Sequence, residues 1–132
     1  MTLNVVPPDD PSIADDVALW RRVHPAWVIL DQNRGGRRLT SQAFQNYPDN
    51  DAFSVCISCD AEEIGAAPRD LLAGHDGYGV ASFSVGVARE LNQGVVRVPD
   101  DRELAHGHVI GKKPKSVMRA FAARSALLIQ PA

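Results

Sequence analysis

Cysteine is scarce in this chain, and that scarcity narrows its class. Two cysteines, Cys56 and Cys59, among 132 residues exclude a secreted scaffold held by several disulfides. Long apolar runs are missing as well. The longest, such as Trp27–Leu30 and Ala126–Ile129, fall far short of the roughly 20 residues a membrane helix needs. No basic start precedes a long apolar stretch at Met1-Thr2-Leu3, so the opening residues read as no signal peptide. These absences predict a cytoplasmic, reduced protein without membrane contact. The sequence also contains no internal repeat, low-complexity tract, nucleophile elbow, His-Glu-x-x-His motif or dinucleotide fingerprint following a strand.

What is present fits one folded domain with one core. Apolar residues make up 45% and charged residues 23%, both ordinary for a globular chain. Residues 1–11, with Pro7, Pro8 and Pro11, predict a flexible leader that cannot be helical. Residues 12–132 predict a single α+β domain. Net charge is −2, unevenly placed. Four acids and no base occupy residues 1–20, and residues 21–38 carry five arginines against Asp31. Residues 39–110 carry eleven acids against four bases, and residues 111–132 carry five bases and no acid. Two basic segments, 21–38 and 111–124, can therefore converge on an anionic ligand or partner protein. They can equally pair with the acidic middle or remain solvated surface.

Ser12 with Asp15 resembles a capping box, and Ile13, Val17 and Trp20 recur at helical spacing, so a helix is expected from Ser12 to near His24, where Pro25 stops it. Trp27–Leu30 reads as a buried strand, residues 31–36 as a turn and Arg37–Leu39 as a short strand. Thr40 or Ser41 can cap a short helix through Phe44 and Tyr47. The alternation over Phe53–Ser58 marks a half-buried strand. Asp60 with Glu63 opens a short helix, and Pro68 begins another that ends at Gly74. A short strand should lead into a helix over about 84–92, capped by Ser84. Strands follow at Val95–Val98 and Ala105–Ile110. Ser116 opens the last helix, and Ala126–Ile129 fits either its end or a closing strand. The irregular alternation favours an α+β fold with a short-stranded mixed or mostly antiparallel sheet and three to four helices over a doubly wound one.

Several side-chain groups could carry chemistry. Cys56 and Cys59 have the spacing of a zinc or redox pair, but at the end of a strand they face opposite ways, and no second C-x-x-C exists. His106 and His108 share one face if residues 105–110 form a strand. Metal ligation would then need a third ligand such as His24, His75 or Asp76, whereas the same pair also serves as ordinary hydrogen-bonding residues. No metal site is favoured. Gly107–Lys113 departs from the Walker spacing. Even so, Lys112, Lys113 and Lys115 precede a helix amino end, and with Arg37 and Arg38 they are the anion-binding candidates. The lack of a helix-turn-helix and of a basic total charge argues against sequence-specific DNA reading.

Arg21, Arg22 and His24, followed by Thr40-Ser41 and a later Glu90, resemble the arrangement of ADP-ribosyltransferases. That resemblance implies NAD as cofactor, with Arg22 or His24 and Ser41 holding its nicotinamide end and Glu90 orienting a nucleophile. The alternative is that the arginines coat a helix and Ser41 is a cap. The runs Leu19–Pro25, Arg38–Phe44, Phe53–Val55, Gly77–Phe83 and Ala105–Val109 are similar to a group of small uncharacterised bacterial proteins. None of those strings has assigned chemistry, so the resemblance implies only a bacterial, stand-alone cytoplasmic domain. The sequence is thus read as a binding or accessory domain for an anionic ligand or partner, needing no cofactor. A small nucleotide-directed enzyme is the alternative.

Overall fold

A computed structural model describes residues 6–132. It places Ala18–Val23 in a strand, β1, where spacing predicts a helix over 12–24. The remaining strands are β2 (Val28–Leu30), β3 (Arg37–Leu39), β4 (Ala52–Ile57), β5 (Gly79–Ser84), β6 (Gly94–Arg97), β7 (His106–Ile110) and β8 (Ala126–Ile129). The helices are α1 (Ser58–Glu63), α2 (Val85–Glu90) and α3 (Lys115–Arg124). Six strands make one sheet in the order β6-β7-β4-β1-β5-β8, antiparallel throughout. The result is a single small α+β domain. Its sheet is wholly antiparallel, and short 3-10 turns at Pro25–Trp27, Ser41–Phe44 and Pro68–Leu72 supplement the helices.

The position of β1 accounts for its helix-like spacing. It lies inside the sheet, between β4 and β5, and is covered on both faces. Leu19 and Val23 join one core cluster and Trp20 the other, so the apolar–polar alternation that marks a strand is lost. Arg21 deepens the disguise, because it behaves as a core residue with 9% exposure. Its guanidinium donates to the carbonyls of Ala43 and Ser54 and lies over the Phe53 ring at 4.2 Å. Burial lowers its pKa to about 10.

Two further expectations are corrected by packing. Trp27–Leu30 is not one buried strand: a 3-10 turn ends at Trp27, and only Val28 of β2 is buried. β2 pairs with β3 alone, in a hairpin outside the main sheet, and Leu30 is exposed. Of the expected leader, Met1–Val5 lie outside the described residues. Residues 9–15 are strapped across β6. The Asp10 N–H donates to the Val95 carbonyl at 2.8 Å, and the Asp9 carboxylate accepts the Val95 N–H at 2.9 Å. Arg89 holds Asp9 and Asp15, and Arg97 holds Asp10 and Asp60. A side chain at Gly94 would collide with the Pro8 carbonyl. The strap satisfies an exposed sheet edge. Ser12 serves a turn rather than a helix, donating from its N–H and hydroxyl to Asp10.

All four phenylalanines meet in the main core. Phe44, Phe53, Phe83 and Phe121 stand with centroids 5.0–6.2 Å apart, pinning α3 and the 41–44 turn to one sheet face. The strand and helix expected over 80–94 form as β5 and α2. Ser84 accepts the Val87 N–H as the cap, and the chain turns at Asn92 with φ 62°. On the opposite face Trp20, Cys56 and Val80 pack under Leu71 and Ala61.

Candidate functional site

The β2–β3 hairpin stands beside α3, and between them runs a cleft of about 700 Å³. Arg34, Arg37 and Arg38 come from the hairpin, Lys115 and Arg119 from α3. Its apolar surface comes from Leu39, Ala122, Ala123 and Leu127, with the hydroxyls of Thr40, Ser41 and Ser125 nearby. Lys115, Arg119, Ala122 and Ala123 share the cleft because residues three, four, seven and eight apart lie on one helix face.

The cations there lack neutralisation. Asp31 is the one acid in the lining, and its Oδ1 accepts the N–H groups of Asn33 and Arg34 in the hairpin turn. Among the described residues no ion pair involves Arg34, Arg37, Arg38, Lys115 or Arg119. Arg37 is partly satisfied by the Pro131 carbonyl at 2.6 Å. The Thr40 and Ser125 hydroxyls donate to the carbonyls of Trp27 and Phe121, which leaves Ser41 as the uncommitted hydroxyl. Pro114 caps α3 without a side-chain bond, and the first turn carries no acid, so the helix dipole adds positive potential near Lys115.

Of the anion-binding candidates, Arg37, Arg38 and Lys115 line this cleft. Lys112 and Lys113 do not. Lys112 is exposed, and its carbonyl accepts from Gln93. Lys113 turns inward over Phe53 at 4.8 Å, donating to the carbonyls of Val109 and Gly111. Arg34 and Arg119 complete the set. They sit in the two basic segments, but the direction of the turn and the facing side of α3 could not be read from spacing.

Burial, with repulsion from Arg21, lowers the Lys113 pKa to about 7, while Asp51 opposes the shift. Below that pH folded and unfolded chains both carry the proton, and the burial penalty is fully present. Above it, up to the unfolded value of about 10.4, the unfolded chain binds more protons, so stability rises with pH. Urea unfolding from about pH 6 to 9 should therefore show wild type gaining stability relative to Lys113→Met, which should be the more stable of the two at pH 6. Parallel pH curves for the two proteins would contradict this assignment.

The residues of the ADP-ribosyltransferase-like reading are not gathered. Arg22 donates to the Leu71 carbonyl and faces Glu103 at 3.7 Å. His24 caps the 25–27 turn, accepting the Ala26 N–H at Nδ1. Ser41 lines the basic cleft, whereas Glu90 pairs with Arg124 beside another depression, lined by Asp15, Asp16 and Arg89.

His106 and His108 do lie side by side on β7, centroids 5.0 Å apart. Both ring nitrogens of His106 are engaged, Nδ1 with the Val98 carbonyl and Nε2 with the Ser54 hydroxyl. Among the described residues no group of three or more histidine, cysteine or acidic side chains is placed to hold a metal. Cys56 is the penultimate residue of β4 and Cys59 lies in α1, both as free thiols. Burial pushes Cys56 up to about 11, and burial with Asp60 raises Cys59, so neither has the depressed pKa of a reactive thiol.

No described helix is long and apolar enough to cross a membrane. Comparison of the chain with family models, with curated proteins and with solved structures gave no match.

Proposed function

We propose that this protein is a cytoplasmic binding or accessory domain that holds a multiply charged anion, of phosphate type, in the cleft between the β2–β3 hairpin and α3. One observation carries the reading: five cationic residues and a single acid, Asp31, line one cleft of about 700 Å³, and among the described residues no acid forms an ion pair with those cations. Cations brought together without counter-charge repel one another, and a ligand supplying negative charge relieves that cost. Arg34, Arg37 and Arg38 on one wall face Lys115 and Arg119 on the other. A single phosphate would leave one wall uncompensated, so the ligand is read as carrying at least two anionic groups. Guanidinium forks suit phosphate oxygens, because they donate two parallel bonds. The volume is that of a small-molecule site. No aromatic side chain lines the cleft, so recognition rests on the anionic groups rather than on base stacking.

Calorimetric titration with sodium triphosphate tests the reading. Binding should be measurable at low salt, and affinity should fall at least about tenfold between about 50 and about 500 mM salt as the exposed cations are screened. No binding, or an affinity indifferent to salt, would overturn it.

A further inference from the structure

A second constellation lies outside the cleft, among residues the binding reading does not use. The Tyr47 and Ser54 hydroxyls are 2.6 Å apart, Ser54 Oγ is 3.0 Å from His106 Nε2, and His106 Nδ1 is 2.9 Å from the Val98 carbonyl. With His106 neutral, these contacts have one consistent set of directions. A carbonyl only accepts, so the neutral imidazole carries its proton on Nδ1 and Nε2 is bare. Ser54 must then donate to Nε2, and Tyr47 donates to Ser54.

We propose that Ser54 is an acyl-accepting nucleophile with His106 as its general base, oriented by the Val98 carbonyl. A hydroxyl bonded to a bare imidazole nitrogen, with the other nitrogen held by an acceptor, is the geometry nucleophilic catalysis by serine requires. The site is reachable, because Tyr47 is 47% exposed and Ser54 is not fully buried. The register sets Ser54 opposite His108 and Cys56 opposite His106, so both imidazoles share the serine's face. The Asp100 carboxylate is held in its charged form chiefly by the N–H groups of Glu103 and Arg102, with a smaller attraction to His106, and so adds a weak counter-charge to a transient imidazolium.

In the reaction Ser54 Oγ bonds the acyl carbon as its proton passes to Nε2. The carbon–leaving-group bond breaks, and the leaving group takes that proton. Water then attacks the acyl-serine, giving a proton to Nε2. The carboxylic acid departs as Ser54 regains its hydrogen. β4 lies inside the sheet, paired with β7 over Ala52–Cys56, and successive N–H groups of a strand point to opposite edges, so neighbouring ones do not converge on one oxyanion. The substrates are therefore activated acyl donors, aryl esters or thioesters.

The test is incubation of the whole protein with p-nitrophenyl acetate. Peptide mass spectrometry of the wild-type protein should find the acetyl group on Ser54, and nitrophenolate release should fall about a hundredfold or more in Ser54→Ala and in His106→Gln. An acetyl group found only on lysine or cysteine, or no adduct in the wild-type protein, would overturn the proposal without reference to any variant. So would release undiminished in a folded His106→Gln protein.

Discussion

Replacing Arg119 by glutamate is expected to lower the affinity for triphosphate by about a hundredfold or more. Losing one hydrogen bond to a charged group costs about 1.5–3 kcal/mol, or roughly ten- to a hundredfold. A carboxylate in its place adds repulsion to an anion held on the opposite wall by Arg34 and Arg38. Arg119 is exposed and makes no ion pair among the described residues, so the melting temperature should barely change. Arg38→Glu should act alike from the hairpin side. Arg102→Glu changes the net charge by the same amount. It sits in an exposed turn away from the cleft lining, and should cost no more than about threefold through long-range screening-sensitive effects. Equal losses in Arg102→Glu and Arg119→Glu would show attraction to the whole molecule rather than to the cleft.

The largest stability effect is expected at Phe121. Its ring is completely buried, stacked on Phe44 at 5.5 Å and edge-on to Phe53 and Phe83. Phe121→Ala removes the side chain fixing α3 to both the sheet and the 41–44 turn. It leaves a cavity that the surrounding rings can fill only partly, and should cost about 3–5 kcal/mol. That is a large part of the roughly 5–15 kcal/mol typical of a domain. Urea unfolding should show a much lower midpoint with little change in slope. Leu128→Ala on the edge strand, where the side chain is 48% exposed, should stay within about 0.5 kcal/mol. Because α3 is one wall of the cleft, Phe121→Ala should also weaken triphosphate binding under conditions where the protein remains folded.

Local signals in the sequence were legible where they acted alone. Ser84 as a cap and the alternation over 53–58 lead to the observed elements, and Pro68 heads a 3-10 turn over Pro68–Leu72 in place of the expected helix to Gly74. They failed where tertiary structure overrode spacing. Ile13, Val17 and Trp20 imitate a helix face, yet Trp20 and Leu19 belong to opposite faces of an inner strand, and Arg21 is a core residue satisfied by carbonyls. The two basic segments could be seen as charge blocks, and part of each reaches the same cleft. Which lysines point there depends on the turn after β7, which folds Lys113 inward over Phe53. The Ser54–His106 contact spans 52 positions. It follows from the register of β4 on β7, and no local pattern announces it.

The position of bound triphosphate, read from backbone amide shifts in a two-dimensional NMR titration, tests the cleft most directly. Shifts should concentrate at residues 34–41 and 115–119, saturate with one equivalent, and vanish in Arg119→Glu. Shifts scattered over the surface without saturation, or centred on Lys112 and the exposed arginines outside the cleft, would contradict it.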